Sequence, residues 1–200
     1  MTLILASASP RRRDLLAACG IPFQIIPSMI DERPFPDEPA AVYVQRLALA
    51  KAESVAQHHP DAVVLGADTI VTIDGLLLGK PQGCAEARQM LNRLCGREHE
   101  VLTGIVVVAA AIVGGRGHRY AQELVVSRVL MRHFTATTID WYIATGEPLD
   151  KAGAYAVQGL GGALVERVEG SYTNVVGLPL TETLALLRQF DGAGLGVSSK

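Results

Sequence analysis

Ala62-Val63-Val64-Leu65-Gly66-Ala67-Asp68-Thr69-Ile70-Val71-Thr72-Ile73 is a run of apolar and small residues with a single acid in its middle. Such a run predicts a buried strand. Asp74-Gly75 follows at once and is a strong signal for a tight hairpin turn. Upstream, Ala40 to Gln57 spaces Val44, Leu47 and Ala48 as a helix does. Leu3 to Ala6 and Pro22 to Ile26 read as further strands. Between them Ser9 is a fitting N-cap, Pro10 suits the first helical position, and Gly20 can close the helix. Ile30 to Pro39 is acidic and carries Pro34, Pro36 and Pro39, so a loop is expected there. Downstream, a helix is expected from Ala85 to Leu94, stopped by Gly96. Glu98 to Val113 and His118 to Arg132 are long strand patterns joined by Gly114-Gly115, again a hairpin signal. Thr135 to Ala144 reads as a helix entered through threonine caps, Ala163 to Val168 as a strand, and Thr181 to Phe190 as a helix. Glu147 to Gly162 is glycine-rich and irregular, and residues 191–200 read as a flexible tail. Long hairpins mixed with helices predict an α/β fold with a mixed, twisted sheet flanked by helices.

The 200 residues are 49% hydrophobic and 19% charged, a globular composition that can bury a core without staples. The net charge of -2 argues against an extended nucleic-acid surface, although a local basic pocket is compatible with it. Cys19, Cys84 and Cys95 are odd in number and lack CxxC spacing, which excludes a disulfide framework or a zinc site of the usual pattern. Ile105 to Val113, the most apolar run, is far short of the roughly 20 residues a membrane helix needs. With no charged, apolar leader at the start, a cytoplasmic location is expected.

Six places carry chemistry. Ser7-Ala8-Ser9-Pro10-Arg11-Arg12-Arg13 joins a strand to a helix N-terminus, where free N–H groups and the helix dipole favour an anion. Arginines in that first turn are unfavourable unless an anion occupies the site, and their planar forks suit phosphate. The plainer alternative is a solvated surface helix. Asp68 sits inside an apolar strand, and a buried carboxylate is costly unless paired or bound to metal. Asp31-Glu32 opens the proline-rich loop, and with Asp68 would supply the oxygen ligands that Mg²⁺ prefers. Lys51 lies near the apolar side of its helix, where the commoner outcome is a stem that snorkels to solvent. Lys80, in Gly79-Lys80-Pro81, is held on a rigid turn. Gln158 lies in the glycine-rich segment. Its amide offers donors and an acceptor and can read a uracil or thymine edge, or simply pack the loop. His58, His59, His99, His118 and His133 are scattered without ligand spacing and read as structural or exposed.

Taken together these residues resemble the Maf family. The resemblance rests on Leu5-Ala6-Ser7 with Ser9-Pro10-Arg11-Arg12, on Asp31-Glu32, Leu47-Ala48 with Lys51-Ala52, Gly66-Ala67-Asp68-Thr69 and Gly79-Lys80-Pro81. It continues through Asp150-Lys151-Ala152-Gly153-Ala154-Tyr155 and Val175-Val176-Gly177-Leu178-Pro179-Leu180. It covers Leu3 to about Phe190, and implies one domain over residues 1–190, built as two lobes around a cleft, similar to the inosine triphosphate pyrophosphatases. The activity implied is hydrolysis of nucleoside triphosphates to monophosphate and pyrophosphate. Ala152 to Gly159 resembles the branch acting on dTTP and UTP, with modified pyrimidine triphosphates as further candidates. In that branch Asp68 corresponds to the proton acceptor, and Arg11, Thr69 and Gln158 to residues bearing on substrate choice. The expected site then has Asp68 and Glu32 holding Mg²⁺ or Mn²⁺. Ser7, Ser9, Arg11, Arg12, Lys51 and Lys80 would bind the phosphates. The stretch Ser127 to Arg132 departs from the threonine-rich strand more usual in the family. Competing readings are a 7-methyl-GTP pyrophosphatase, a nucleotide-binding regulator of septum formation without turnover, and a nucleic-acid module. The oligomeric state stays open, with a homodimer implied by the resemblance.

Overall fold

The computed structural model describes residues 2–110 and 118–190. The elements are β1 (Thr2–Leu5), α1 (Pro10–Ala18), β2 (Phe23–Ile25), α2 (Ala40–Ala56), β3 (Ala62–Ile73), β4 (Leu76–Leu78) and α3 (Cys84–Leu94). They continue with β5 (Glu98–Ala110), β6 (His118–Met131), α4 (Ala136–Ala144), β7 (Val165–Glu169), α5 (Tyr172–Val176) and α6 (Leu180–Arg188). Three short 3₁₀ turns occupy the glycine-rich stretch between α4 and β7. The expected Gly114-Gly115 turn and the tail at 191–200 lie outside the described residues. No helix among the described residues is long and apolar enough to cross a membrane.

The seven strands hydrogen-bond in the order β2-β1-β3-β5-β6-β7, with β4 on β3. β1 runs parallel to both β2 and β3, whereas the β3–β4 and β6–β7 pairs are antiparallel. The sheet is therefore mixed. Asp74 (φ 53°) and Gly75 (φ 75°) both adopt the left-handed conformation, as a two-residue hairpin turn requires. The helix caps agree with their sequence signals. Ser9 accepts the Arg12 N–H at the start of α1, and Thr135 accepts the Thr138 N–H at the start of α4.

The chain divides into two compact units. The first comprises Met1–Asp68, Thr103–Val125 and Gly177–Lys200. Its strands alternate strictly. Leu3, Leu5, Val63, Leu65, Ile105 and Val107 pack on one face with Leu16 of α1 and Leu186 and Leu187 of α6. Ile4, Val64, Val106 and Val108 pack on the other face with Ala48, Ala52 and Val55 of α2. The second unit comprises Thr69–Leu102 and Val126–Val176. Its core joins Val71, Leu91, Leu94, Val101, Val129, Met131, Ile139 and Tyr142.

Helix α2 lies unusually close to the sheet. A Cβ on Gly66 would stand 2.2 Å from the Ala48 carbonyl oxygen, and one on Gly104 would stand 2.6 Å from the Val44 carbonyl oxygen. Both obstacles are backbone, so a side chain there must push the helix away. Gly66→Ala is expected to destabilise the protein by about 1–3 kcal/mol, the usual cost of overpacking a tight core. Urea unfolding measures it, and an unchanged midpoint would show that α2 can yield.

Two details differ from the sequence reading. α5 has only five residues, too few for a hydrophobic period to register. Its position is set by tertiary bonds: Asn174, fully buried, donates to the Val101 carbonyl at 3.0 Å and to Ser127 Oγ at 2.9 Å. β7 begins two residues later than expected, because the 3₁₀ turn Gly159–Leu164 runs directly into it.

Candidate active site

In the first unit, β1 ends at Leu5 and the chain turns through Ser7 and Ser9 into α1. Ser7 is buried, and its Oγ accepts from the Ser9 N–H and from Arg12 Nη1, both at 3.2 Å. Arg12 is held at a second point, since Nε donates to the Gly177 carbonyl at 2.8 Å. Arg12 is thus turned inward and fixed at two points. Arg13 faces solvent and bonds the neighbouring Asp14. Arg11 is half-buried. The first turn of α1 holds no acidic residue, so the dipole's positive end and the arginines stand together.

Asp68 falls on the same face of β3 as Gly66, the face covered by α2. The close approach at Gly66 brings Lys51, one turn along α2 from Ala48, against that carboxylate. Lys51 Nζ donates to Asp68 Oδ1 at 2.6 Å and lies 2.7 Å from Glu32 Oε1. Lys51 is 6% exposed, so its stem does not snorkel to solvent as its residue type alone suggested. It sits on the apolar stripe because an acid waits beneath it.

Of the Asp31-Glu32 pair, Glu32 is the member that reaches this cluster. Asp31 is bound by the Arg33 side chain and backbone N–H, chiefly through the Arg33 side-chain hydrogen bond, which pushes its carboxyl down to about 2. The loop is anchored from α2. Tyr43 Oη donates to the Glu32 carbonyl at 2.9 Å, and Arg46 grips Glu38 at 2.6 Å while lying over the Phe35 ring.

Burial dominates the electrostatics of Asp68 and raises its carboxyl above the ordinary range. Lys51 and Arg12 pull it back, and Glu32 adds to the rise. Burial likewise lowers the pKa of Arg12, with Asp68 and Glu32 opposing and Arg11 reinforcing. Ser7, Arg12, Glu32, Lys51 and Asp68 therefore form one interacting group inside the first unit.

The remaining expected residues belong to the second unit. Thr69 follows Asp68 on β3 and is half-buried. Lys80 is exposed on the turn after β4, and that turn is tied to the glycine-rich segment by the Gly153 N–H, which donates to the Gly79 carbonyl at 3.1 Å. Gln158 is exposed at the start of the last 3₁₀ turn. His99 is buried against Tyr155 Oη at 2.8 Å, and burial holds its pKa down at about 4. It is a neutral core histidine.

A family model described as "Maf-like protein" matches residues 2–190. This chain belongs to the Maf family. Among similar proteins is the dTTP/UTP pyrophosphatase of Moorella thermoacetica, 53% identical over 188 residues, 94% of either chain. The dTTP/UTP pyrophosphatase of Myxococcus xanthus is also 53% identical over 188 residues, covering 94% of this chain and 91% of that one. A solved nucleoside-triphosphatase / dITP/XTP pyrophosphatase from Mycobacterium abscessus is similar at 12% identity and a TM-score of 0.41, over 98% of this chain and 97% of that one. The sequence reading did not single out Tyr142 and Glu147 of the second unit, whose side chains bond each other and the backbone on either side of Gln158. Glu147 opens the glycine-rich stretch directly after Gly146, and nothing in its spacing sets it apart from a solvated acid.

Proposed function

We propose that this chain is a dTTP/UTP pyrophosphatase, cutting pyrimidine nucleoside triphosphates between the α- and β-phosphates. The observation that carries this reading is the buried Asp68 carboxylate, placed against Lys51 and beside the inward-turned Arg12. The curated relatives of about half identity bear that activity in their names.

Water attacks the α-phosphorus, and its proton passes to the Asp68 carboxylate. The bond from the α-phosphorus to the bridging oxygen breaks, and pyrophosphate leaves with that oxygen. Arg12 and Ser7, at the start of α1, bind phosphate oxygens, and Arg11 and Ser9 complete the clamp. Lys51 balances Asp68 and Glu32 before substrate arrives and joins the clamp as the phosphates bring in negative charge. Phosphoryl transfer depends mainly on such positioning and charge. Thr69 and Gln158 choose the base, the amide of Gln158 pairing with the donor and acceptors of a uracil or thymine edge.

The donor set of Asp68 and Glu32 fits a divalent cation. Both carboxylates converge on one Nζ, at 2.6 and 2.7 Å, so two hard oxygen donors face a common point. Mg²⁺ habitually takes one or two carboxylates together with substrate phosphates and water. When bound there, Mg²⁺ or Mn²⁺ supplies charge neutralisation at the phosphate oxygens and a more acidic water.

The test is pyrophosphate release from a panel of dTTP, UTP, dCTP, ATP and 7-methyl-GTP, each with Mg²⁺, Mn²⁺ or EDTA. Cation-dependent turnover led by dTTP and UTP is expected. Turnover led by 7-methyl-GTP would overturn the branch, and binding without turnover would overturn the enzyme. Gln158→Glu replaces a donor with a second acceptor. It is expected to lower kcat/KM for dTTP by about 10–100-fold relative to dCTP, since a site built to pair a group loses most when that pairing fails. An unchanged ranking would remove Gln158 from base selection.

A further inference from the structure

The segment that carries Gln158 is not a free loop. Glu147 Oε1 accepts from Tyr142 Oη and from the Gly161 N–H, both at 2.8 Å, and its Oε2 accepts from the Leu160 N–H at 3.0 Å. Tyr142 Oη in turn accepts the Ala156 N–H at 3.2 Å. The backbone is therefore held two residues before Gln158, at Ala156, and two and three residues after it, at Leu160 and Gly161. Between these anchors Gln158 is exposed, with an extended backbone at φ -90° and ψ 156°. The chain lies directly on the two anchoring side chains. A Cβ on Gly159, whose φ is +75°, would stand 2.7 Å from Glu147 Oε2, and one on Gly161 would stand 2.4 Å from Tyr142 Oη.

We propose that Glu147, working with Tyr142, is a positioning residue for substrate selection: it sets the stretch from Ala156 to Gly161 so that the Gln158 amide is presented in one orientation to the base. This rests on the reading of Gln158 as the base selector given above. Glu147 is half-buried with both carboxylate oxygens engaged by protein donors, and Tyr142 is fully buried. A carboxylate is the group this place needs, because four lone pairs can receive three donors arriving from different directions. Burial pushes the Glu147 pKa up, yet the Gly161 and Leu160 N–H groups and the Tyr142 hydroxyl outweigh it and hold the carboxyl below its ordinary value. An amide at 147 would turn an NH₂ toward one of those donors and release that side of the clamp.

The experiment is steady-state kinetics on dTTP and dCTP for four proteins: wild type, Glu147→Gln, Gln158→Glu and the double variant. Thermal midpoints are recorded for each. Glu147→Gln is expected to cut the dTTP/dCTP preference in kcat/KM by about tenfold or more, mainly by raising KM for dTTP, as expected for lost ground-state and transition-state contacts alike. In the Gln158→Glu background the same substitution is expected to change the preference by less than about twofold, the non-additivity of residues acting as one unit. If Glu147→Gln leaves the preference intact while Gln158→Glu shifts it, the positioning role is wrong and base selection by Gln158 stands. If Gln158→Glu shifts nothing, base selection by Gln158 fails and the inference falls with it. If the two effects multiply in the double variant, Glu147 acts on stability or on another part of the site, and the proposal is overturned. Should Glu147→Gln not fold, Tyr142→Phe serves instead. It deletes the hydroxyl that links Glu147 to the Ala156 N–H and is expected to lower the preference in the same direction, and an unchanged preference would count against the proposal.

Discussion

Asp68→Asn is expected to lower kcat for dTTP by about 10³-fold or more, within the range attributed to loss of a general base, while the protein stays folded. The amide has nearly the same shape as the carboxylate but cannot take the proton of the attacking water. It also weakens the donor set offered to a divalent cation. The fold should tolerate the change. Lys51 keeps Glu32 as a counter-ion at 2.7 Å, and a buried charge is exchanged for a neutral group. Thermal midpoint and kcat measured on the same preparation separate the two effects. A variant with near-wild-type turnover would remove Asp68 from the chemistry, and an unfolded variant would make it a structural residue.

Lys51→Met has the second large effect, this time on stability as well as turnover. Methionine fills the space of the lysine stem but leaves the Asp68 carboxylate, 7% exposed, without its nearest cation. Breaking a buried pair from one side costs about 3–5 kcal/mol. The cost must depend on pH, and the sign follows from the direction of the Asp68 shift. Its folded pKa is already raised by burial, and Lys51 is the first influence opposing that rise. Removing Lys51 raises the folded pKa further. A carboxyl whose folded pKa exceeds its unfolded value binds its proton more tightly when folded. Its penalty is absent below the unfolded pKa, about 3.9, and grows as pH rises through the folded pKa. The stability gap between wild type and Lys51→Met is therefore expected to be largest near neutrality and to narrow toward pH 4. Urea unfolding of both proteins at several pH values measures it, and acid-labile groups away from Lys51 cancel in the difference. A gap that stays constant with pH would mean that removing Lys51 leaves the folded pKa of Asp68 unchanged, and would contradict the pairing. Turnover is expected to fall by about 100-fold or more, since a clamp residue and the carboxylate's partner are lost together.

Much of the fold was legible because its signals are local. β3 occupies Ala62–Ile73, the bounds read from composition, since an apolar run closed by Asp74-Gly75 admits no other ending. Ser9 and Pro10 placed the start of α1, where a cap and a fixed φ coincide. α5, which the sequence did not show, is held by distant groups, Asn174 reaching Val101 and Ser127. The site was legible to the extent that its residues violate their local pattern. Asp68 stands out in an apolar strand, and arginines stand out at a helix N-terminus. Lys51 was ambiguous, because burial and snorkelling share one sequence pattern and only the acid seventeen positions away decides between them. Glu147 was invisible for a further reason. Its role is to receive backbone N–H groups, and backbone carries no sequence signature.

The arrangement around Asp68 and Arg12 makes a claim about which phosphorus is attacked. Hydrolysis of dTTP in ¹⁸O-labelled water, followed by mass spectrometry of the products, tests it directly. Label in dTMP, with unlabelled pyrophosphate, is the predicted result. Label in the pyrophosphate, or release of orthophosphate, would place the attack elsewhere and contradict the account.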